Sequence, residues 1–169
     1  KSHCGRLLEH ELGYRFCEGD SWLPEDLLES LRRGEGFLPE QRDRLAATVA
    51  HRISRVREDE LSQRGLKDAR PLAVAQGFFK RRHRDVIREA HPDVVFVWVR
   101  ADRAAALSRI AKGGNLVDER LGEAMVKDLE EPAGDEAQLV PVLENGGETN
   151  DAMLLQWLDA LTKMKSSVL

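Results

Sequence analysis

A chain of 169 residues, 41% hydrophobic and 33% charged, has the size and composition to fold as one globular domain, 1–169, around its own core. Its formal net charge of −4 excludes a protein that relies on overall positive charge to hold nucleic acid. No apolar run approaches the roughly 18 residues of a membrane span, no signal peptide is visible from Lys1 onward, and Cys4 and Cys17 are too few for a disulfide framework, so reduced thiols in a cytoplasmic protein are expected.

Helix and strand patterns alternate along the chain. Cys4, Leu7, Leu8 and Leu12 recur at helical spacing and Gly13 supplies a stop. Tyr14 to Cys17 reads as a strand ending in the polar loop Glu18-Gly19-Asp20. Pro24 opens a helix whose apolar face is Leu27, Leu28 and Leu31, closed by Gly34. A longer helix starts near Pro39 with Leu45, Val49, Ile53 and Val56 as its stripe. Its charged tail, through about Gly65, loses periodicity and reads as an exposed loop.

Pro71 to Ala75 is a short apolar run, followed by a helix with Val86, Ile87 and Ala90. Val94 to Val99 is the clearest strand, a β-branched and aromatic run without polar alternation, the mark of a parallel strand covered on both faces. Helices are expected around Ala104 to Ala111 and Glu119 to Leu129, with a glycine-rich turn at Gly113-Gly114 between them. Leu139 to Leu143 is a last strand, where Pro141 implies an edge or bulge. A final helix turns Met153, Leu154, Trp157, Leu158 and Leu161 inward. Repeated strand–helix units predict an α/β fold, a doubly wound parallel sheet flanked by helices.

Ligands of open parallel sheets bind at the carboxyl ends of the strands. Three segments fall there. Glu18-Gly19-Asp20 is either a solvated turn or a site where Asp20 orients or deprotonates a hydroxyl, with Glu18 near a metal ion. Gln76 to Asp85 opens a helix with Lys80, Arg81, Arg82 and Arg84. Cations in a first helical turn oppose the helix dipole, which favours an anion beside them. Lys80 and Arg84 lie one turn apart and can face the same site, whereas Arg81 and Arg82 read as solvated. Arg109 with Lys112-Gly113-Gly114-Asn115 reads locally as a basic helix end with a glycine cap, the alternative being a mobile cover over phosphates. The five histidines show no metal-ligand spacing.

Taken together and in order, these segments resemble the gluconate kinases, a branch of the P-loop kinases. Lys1-Ser2 resembles the end of a phosphate-binding loop whose lysine reaches the β- and γ-phosphates and whose hydroxyl holds Mg2+. Glu18-Gly19-Asp20 resembles the family's Asp-Gly-Asp loop. Gly34 to Leu38 followed by Arg42 is similar to its Gly-x-Pro-Leu-Asn-Asp-x-Asp-Arg segment, and Lys80 to Asp85 to its Lys-Lys-x-Tyr-Arg-Asp motif. Ser108-Arg109 and Lys112 to Asn115 resemble the nucleotide-side arginine and the lid, placed near 109–129. Leu129-Glu130-Glu131-Pro132 is similar to the family's Leu-Gln/Glu-x-Pro close. The chain departs from the pattern at Glu18 for Asp, His83 for Tyr, Lys112 for Arg, Asn115 for His, and Met125-Val126-Lys127 for Gln-Phe-Glu.

The resemblance implies a homodimer that uses ATP and Mg2+ to phosphorylate gluconate or a similar small polyhydroxy acid. It assigns Asp20 and Lys1 to catalysis and Lys1, Ser2, Arg109 and Lys112 to the nucleotide. Asp20, Arg42, Lys80 and Arg84 fall to the acceptor, and Ser2 and Glu18 to the metal. It also implies about ten to fifteen residues ending in Gly-x-x-x-x-Gly before Lys1. A shikimate- or nucleotide-type kinase, or a kinase fold kept for binding alone, are the alternatives.

Overall fold

The computed structural model describes residues 1–77, 80–101, 108, 119–145 and 150–166. Its helices are α1 (Ser2–Leu12), α2 (Glu25–Arg32), α3 (Pro39–Asp68), α4 (Arg81–Ala90), α5 (Glu119–Asp128) and α6 (Asp151–Ser166). Its strands are β1 (Arg15–Glu18), β2 (Leu72–Ala75), β3 (Trp98–Arg100) and β4 (Val142–Glu144). The chain is α/β with helices predominant. The strands form two two-stranded parallel sheets, β1 with β2 and β3 with β4, where a single sheet was expected.

Local chemistry sets most of the boundaries. Gly13 takes up φ 71° after α1, a left-handed cap that a side chain would resist. Pro24 sits at the N-cap of α2, and Gly34 leaves it at φ 69°. Pro39 occupies the first turn of α3, where Gln41 Oε1 accepts the Leu38 N–H at 2.8 Å.

The segment leading to Gly65 is helix rather than loop. Charge pairing holds it: the buried carboxylate of Glu60 receives Arg15, Arg64 and Arg70 at 2.9–3.2 Å. Apolar periodicity misses such a helix because buried salt bridges, not a greasy stripe, tie it down. It kinks at Gly65, whose φ is 73°. Residues 94–97 carry no strand ladder, so the expected strand over Val94–Val99 contracts to β3. The run is nonetheless covered on two faces, with Val94 and Phe96 against one apolar cluster and Val97 and Val99 against another.

The larger cluster joins Leu27 and Leu31 of α2, Leu45, Val49 and Ile53 of α3, Ile87 of α4 and Leu121 of α5. The smaller packs Cys4 of α1 against Leu143 of β4 and Leu154 and Leu158 of α6. Met153 is 54% exposed and does not share that inward face. Gly5 lies against β1 so closely that a Cβ there would meet the Phe16 ring at 2.1 Å. Cys4 is buried, Cys17 half-buried, and the two are not bridged. No helix of the described residues is long and apolar enough to cross a membrane.

One ion-pair cluster connects the core to the segment after α5. Glu136, 1% exposed, receives Arg84 at 2.6 and 2.7 Å and Arg88 at 2.7 Å. Arg88 also lies over the Phe96 ring at 4.8 Å. Hydrogen bonding from Arg84, and then from Arg88, outweighs burial and holds the Glu136 carboxyl down at about 2. Two outcomes follow from this arrangement. Glu136→Ala, which strands a buried guanidinium, should lower unfolding free energy by about 3–5 kcal/mol in urea. The folded carboxyl titrates below the unfolded one, at 4.5, so its stabilisation is complete above that pH and drains as the pH falls toward 2. Glu136→Gln should therefore flatten the slope of unfolding free energy against pH within that window.

Candidate functional site

The carboxyl ends of β1 and β2 lie side by side, with Glu18 opposite Ala75 in register. The chain leaves β1 through a 3-10 turn, Gly19–Trp22, that carries Asp20. Gly19 is buried and pressed against β2: a Cβ there would stand 2.8 Å from the Ala75 carbonyl oxygen and 2.9 Å from Gln76 Cβ. Only a glycine lets the two strand ends approach this closely, and the approach sets where Asp20 lies.

Asp20 has an exposed side chain, yet the protein around its carboxyl excludes enough water to push its pKa up. The Lys1 ammonium opposes that rise, and the Glu18 carboxylate adds to it. The structure therefore brings Lys1, Glu18 and Asp20 within electrostatic reach of one another. Ser2 opens α1, whose first turn has neither a side-chain cap nor an acidic residue. Such a helix start, the positive end of its dipole, favours an anion. Gln76 lies beside Gly19; its Oε1 accepts the Gly77 N–H at 2.7 Å, while its buried Nε2 has no hydrogen-bond partner among the described residues.

A second group of predicted residues forms around α5. Arg42, at the start of α3, and Lys80, just before α4, both bind the carboxylate of Asp128, the last residue of α5. Lys80 Nζ is 2.7 Å from Asp128 Oδ1, and Arg42 engages Oδ2. Burial, with repulsion from Arg82, pushes the Arg42 pKa down. Arg84 does not join this group. It lies one turn further on and turns into the core, where Glu136 holds it.

The basic residues read as solvated are also paired. Arg81 meets Asp135 at 2.7 and 2.8 Å, and its backbone N–H donates to Glu130 Oε2 at 3.2 Å. Arg82 and the buried His83 share Asp43, at 2.8 and 2.9 Å. The anion that the first turn of α4 calls for is thus supplied by protein carboxylates.

Sequence reasoning passed over Asp128, Glu136 and Gln76. Asp128 did carry a signal: an acidic residue in the last turn of a helix opposes the dipole and needs a cation. Glu136 stands in a polar stretch that does not single it out, and Gln76, although it heads the second segment, carries no charge to mark it between its apolar neighbours. Arg109 and Lys112, expected on the nucleotide side, lie outside the described residues, as do the glycines of the expected cover.

An open cleft of about 740 Å3 lies between the loop after α2 and α5, with Gly36, Arg42, Arg120, Leu121, Lys127 and Asp128 among its walls. Arg120 donates to the Gly34 carbonyl at 3.5 Å across its mouth. Among the described residues no group of three or more His, Cys, Asp or Glu side chains could hold a metal ion alone.

No protein-family model and no curated protein matches the chain. Solved structures do. A gluconokinase from Sinorhizobium meliloti superposes with a TM-score of 0.74 at 20% identity, covering 99% of this chain and 87% of that one. A sugar kinase from Janibacter superposes with a TM-score of 0.70, again at 20% identity, over 95% of this chain and 85% of that one. The chain has the fold of these two kinases over nearly its whole length, and its likeness to gluconate kinases is a property of the fold as well as of its motifs.

Proposed function

We propose that the chain is a single-domain kinase of the P-loop type that transfers the γ-phosphoryl group of ATP to a hydroxyl of gluconate or a similar small polyhydroxy acid. The observation that carries this reading is Asp20. It is a carboxyl pushed up by its surroundings, set against Lys1, at the carboxyl end of a parallel strand in a kinase fold. A general base works best with a pKa raised toward working pH, and the desolvation of Asp20 moves it in that direction.

In the proposed reaction the acceptor hydroxyl oxygen bonds to the γ-phosphorus as the bond to the bridging β–γ oxygen breaks. Asp20 takes the hydroxyl proton, and ADP leaves with the electron pair. Lys1 balances the charge on the β- and γ-phosphates, with the N–H groups at the start of α1 beside it. Arg42 and Lys80 take the acceptor carboxylate, and Arg84 holds α4 in place beneath them. Arg109 and Lys112 are proposed to close over the nucleotide. Catalysis of this kind is mainly positioning and electrostatics.

The residues present suit Mg2+ better than a metal caged by protein. Glu18 and Asp20 repel each other across a short turn, and a cation between them would relieve that repulsion. Mg2+ keeps several waters and takes one or two carboxylates plus phosphates, which fits a site with no three-residue donor cluster. Ser2 and Glu18 are the proposed protein ligands. Bound there, the ion would neutralise phosphate charge. The reading places the protein in the cytoplasm as a homodimer.

A coupled ATP assay with gluconate, shikimate and nucleoside monophosphates tests the class, and turnover should be highest with gluconate. Absence of turnover with every acceptor would remove the kinase reading. Asp20→Asn should lower kcat by about 10²–10⁴-fold, the usual contribution of a positioned general base. The active form of Asp20 is the ionised one, so kcat/KM should fall on acidification. Gly19→Ala, which forces the ends of β1 and β2 apart, should cost about 1–3 kcal/mol in thermal unfolding and depress kcat along with stability.

A further inference from the structure

The charges around α5 make a tighter statement about the acceptor site than its residue types alone. Arg42 comes from α3 and Lys80 from the loop before α4, so two cations from separate elements converge on one point. The group found there is a carboxylate of the chain itself, Asp128. Its side chain is 36% exposed, against 18% for Arg42 and 31% for Lys80. Arg42 and Asp128 therefore line the cleft, with the half-exposed Lys80 beside them on Asp128, where solvent and ligand can reach the carboxylate. This differs from Glu136, which is sealed between Arg84 and Arg88 and has no path to exchange.

Asp128 is also ill placed on its own helix. As the last residue of α5 it faces the negative end of the helix dipole, so α5 gains nothing by keeping a charge there. What holds it is the pair of cations. Cleft charge beyond this group is positive, with Arg120 and Lys127 on its walls and Glu35 occupied by Arg33 at 2.9 and 3.0 Å. A carboxylate entering from solution would find the same two-cation seat, already filled.

We propose that Asp128 is an internal competitor for the acceptor's carboxylate. It occupies the anion subsite of Arg42 and Lys80 in the empty enzyme, and a sugar acid binds by displacing it. This rests on the proposed kinase reading for the identity of the acceptor but not for its test. The exchange is carboxylate for carboxylate and needs no change in the charge of either cation. It makes the site selective in a definite way. An acidic acceptor can win the seat, whereas a neutral polyol leaves Asp128 in place and meets only the remainder of the cleft. Apparent affinity for the acid is lowered by the fraction of molecules in which Asp128 is seated.

The test is calorimetric titration of D-gluconate and of the neutral polyol D-glucitol into the wild-type chain, Asp128→Asn and Asp128→Glu. Asp128→Asn should bind gluconate about tenfold more tightly, as expected if Asp128 is seated in about nine molecules of ten. It should bind glucitol as the wild type does, and Asp128→Glu should retain the weaker gluconate affinity. Asp128→Ser serves as a second neutral variant if the amide perturbs folding. Equal or weaker gluconate binding by the neutral variants overturns the proposal. Equal tightening toward gluconate and glucitol, or absence of gluconate binding in every form, overturns it as well. Tighter gluconate binding without phosphoryl transfer in any form would remove the kinase reading and leave the competitor standing.

Discussion

The buried carboxylate of Glu136 is the constraint on which the placement of α4 against the segment after α5 depends. It draws Arg84 and Arg88 of α4 to the turn that follows α5, and through Arg88 it reaches the aromatic face of Phe96. A salt bridge this deep contributes less to net stability than its short distances imply, because both partners have left water. Its effect lies in placement. With α4 fixed against the 130s, Lys80 is brought to Asp128 at the end of α5, which Arg42 also holds at the wall of the cleft.

The same geometry resolves a local conflict in two helices at once. α4 begins with a cluster of cations and α5 ends in an aspartate, and each arrangement opposes its own helix dipole. Brought together, the misplaced charges answer one another: Lys80 with Asp128, and the Arg81 backbone and side chain with Glu130 and Asp135. Neither helix is electrostatically sensible alone, and both are in company. The basic opening of α4 thus serves the fold first.

Much of the fold was legible in the sequence. Glycine and proline mark the ends of α1 and α2 and the start of α3, and the apolar stripes of α2 to α4 meet in the larger cluster. What was not legible has a common cause: the deciding contacts join residues far apart in the chain. The tail of α3 is tied down where Glu60 gathers Arg15 from β1 and Arg70 from the connection to β2, which no apolar period records. Arg84 looks like Lys80 in sequence, one turn away, but a partner 52 residues downstream turns it inward. In the candidate site, Asp20 was readable from its place after a strand. Gln76 and Asp128 were not, since each gains its meaning from the neighbour it meets.

The fit of Gly5 against the Phe16 ring has a mechanical consequence. Helix α1 carries Lys1 and Ser2 at its head, and β1 leads into Glu18 and Asp20. With no side chain between helix and strand, the two are clamped at ring-to-backbone distance, and their leading ends form one stiff body. The α5 side of the cleft is joined to the core through the buried Leu121, with ion pairs at Asp128 and one long hydrogen bond to Gly34 at its surface. The spacing between Lys1 and the Glu18–Asp20 turn is thus set by the contact of Gly5 with the Phe16 ring rather than by the charges at their ends.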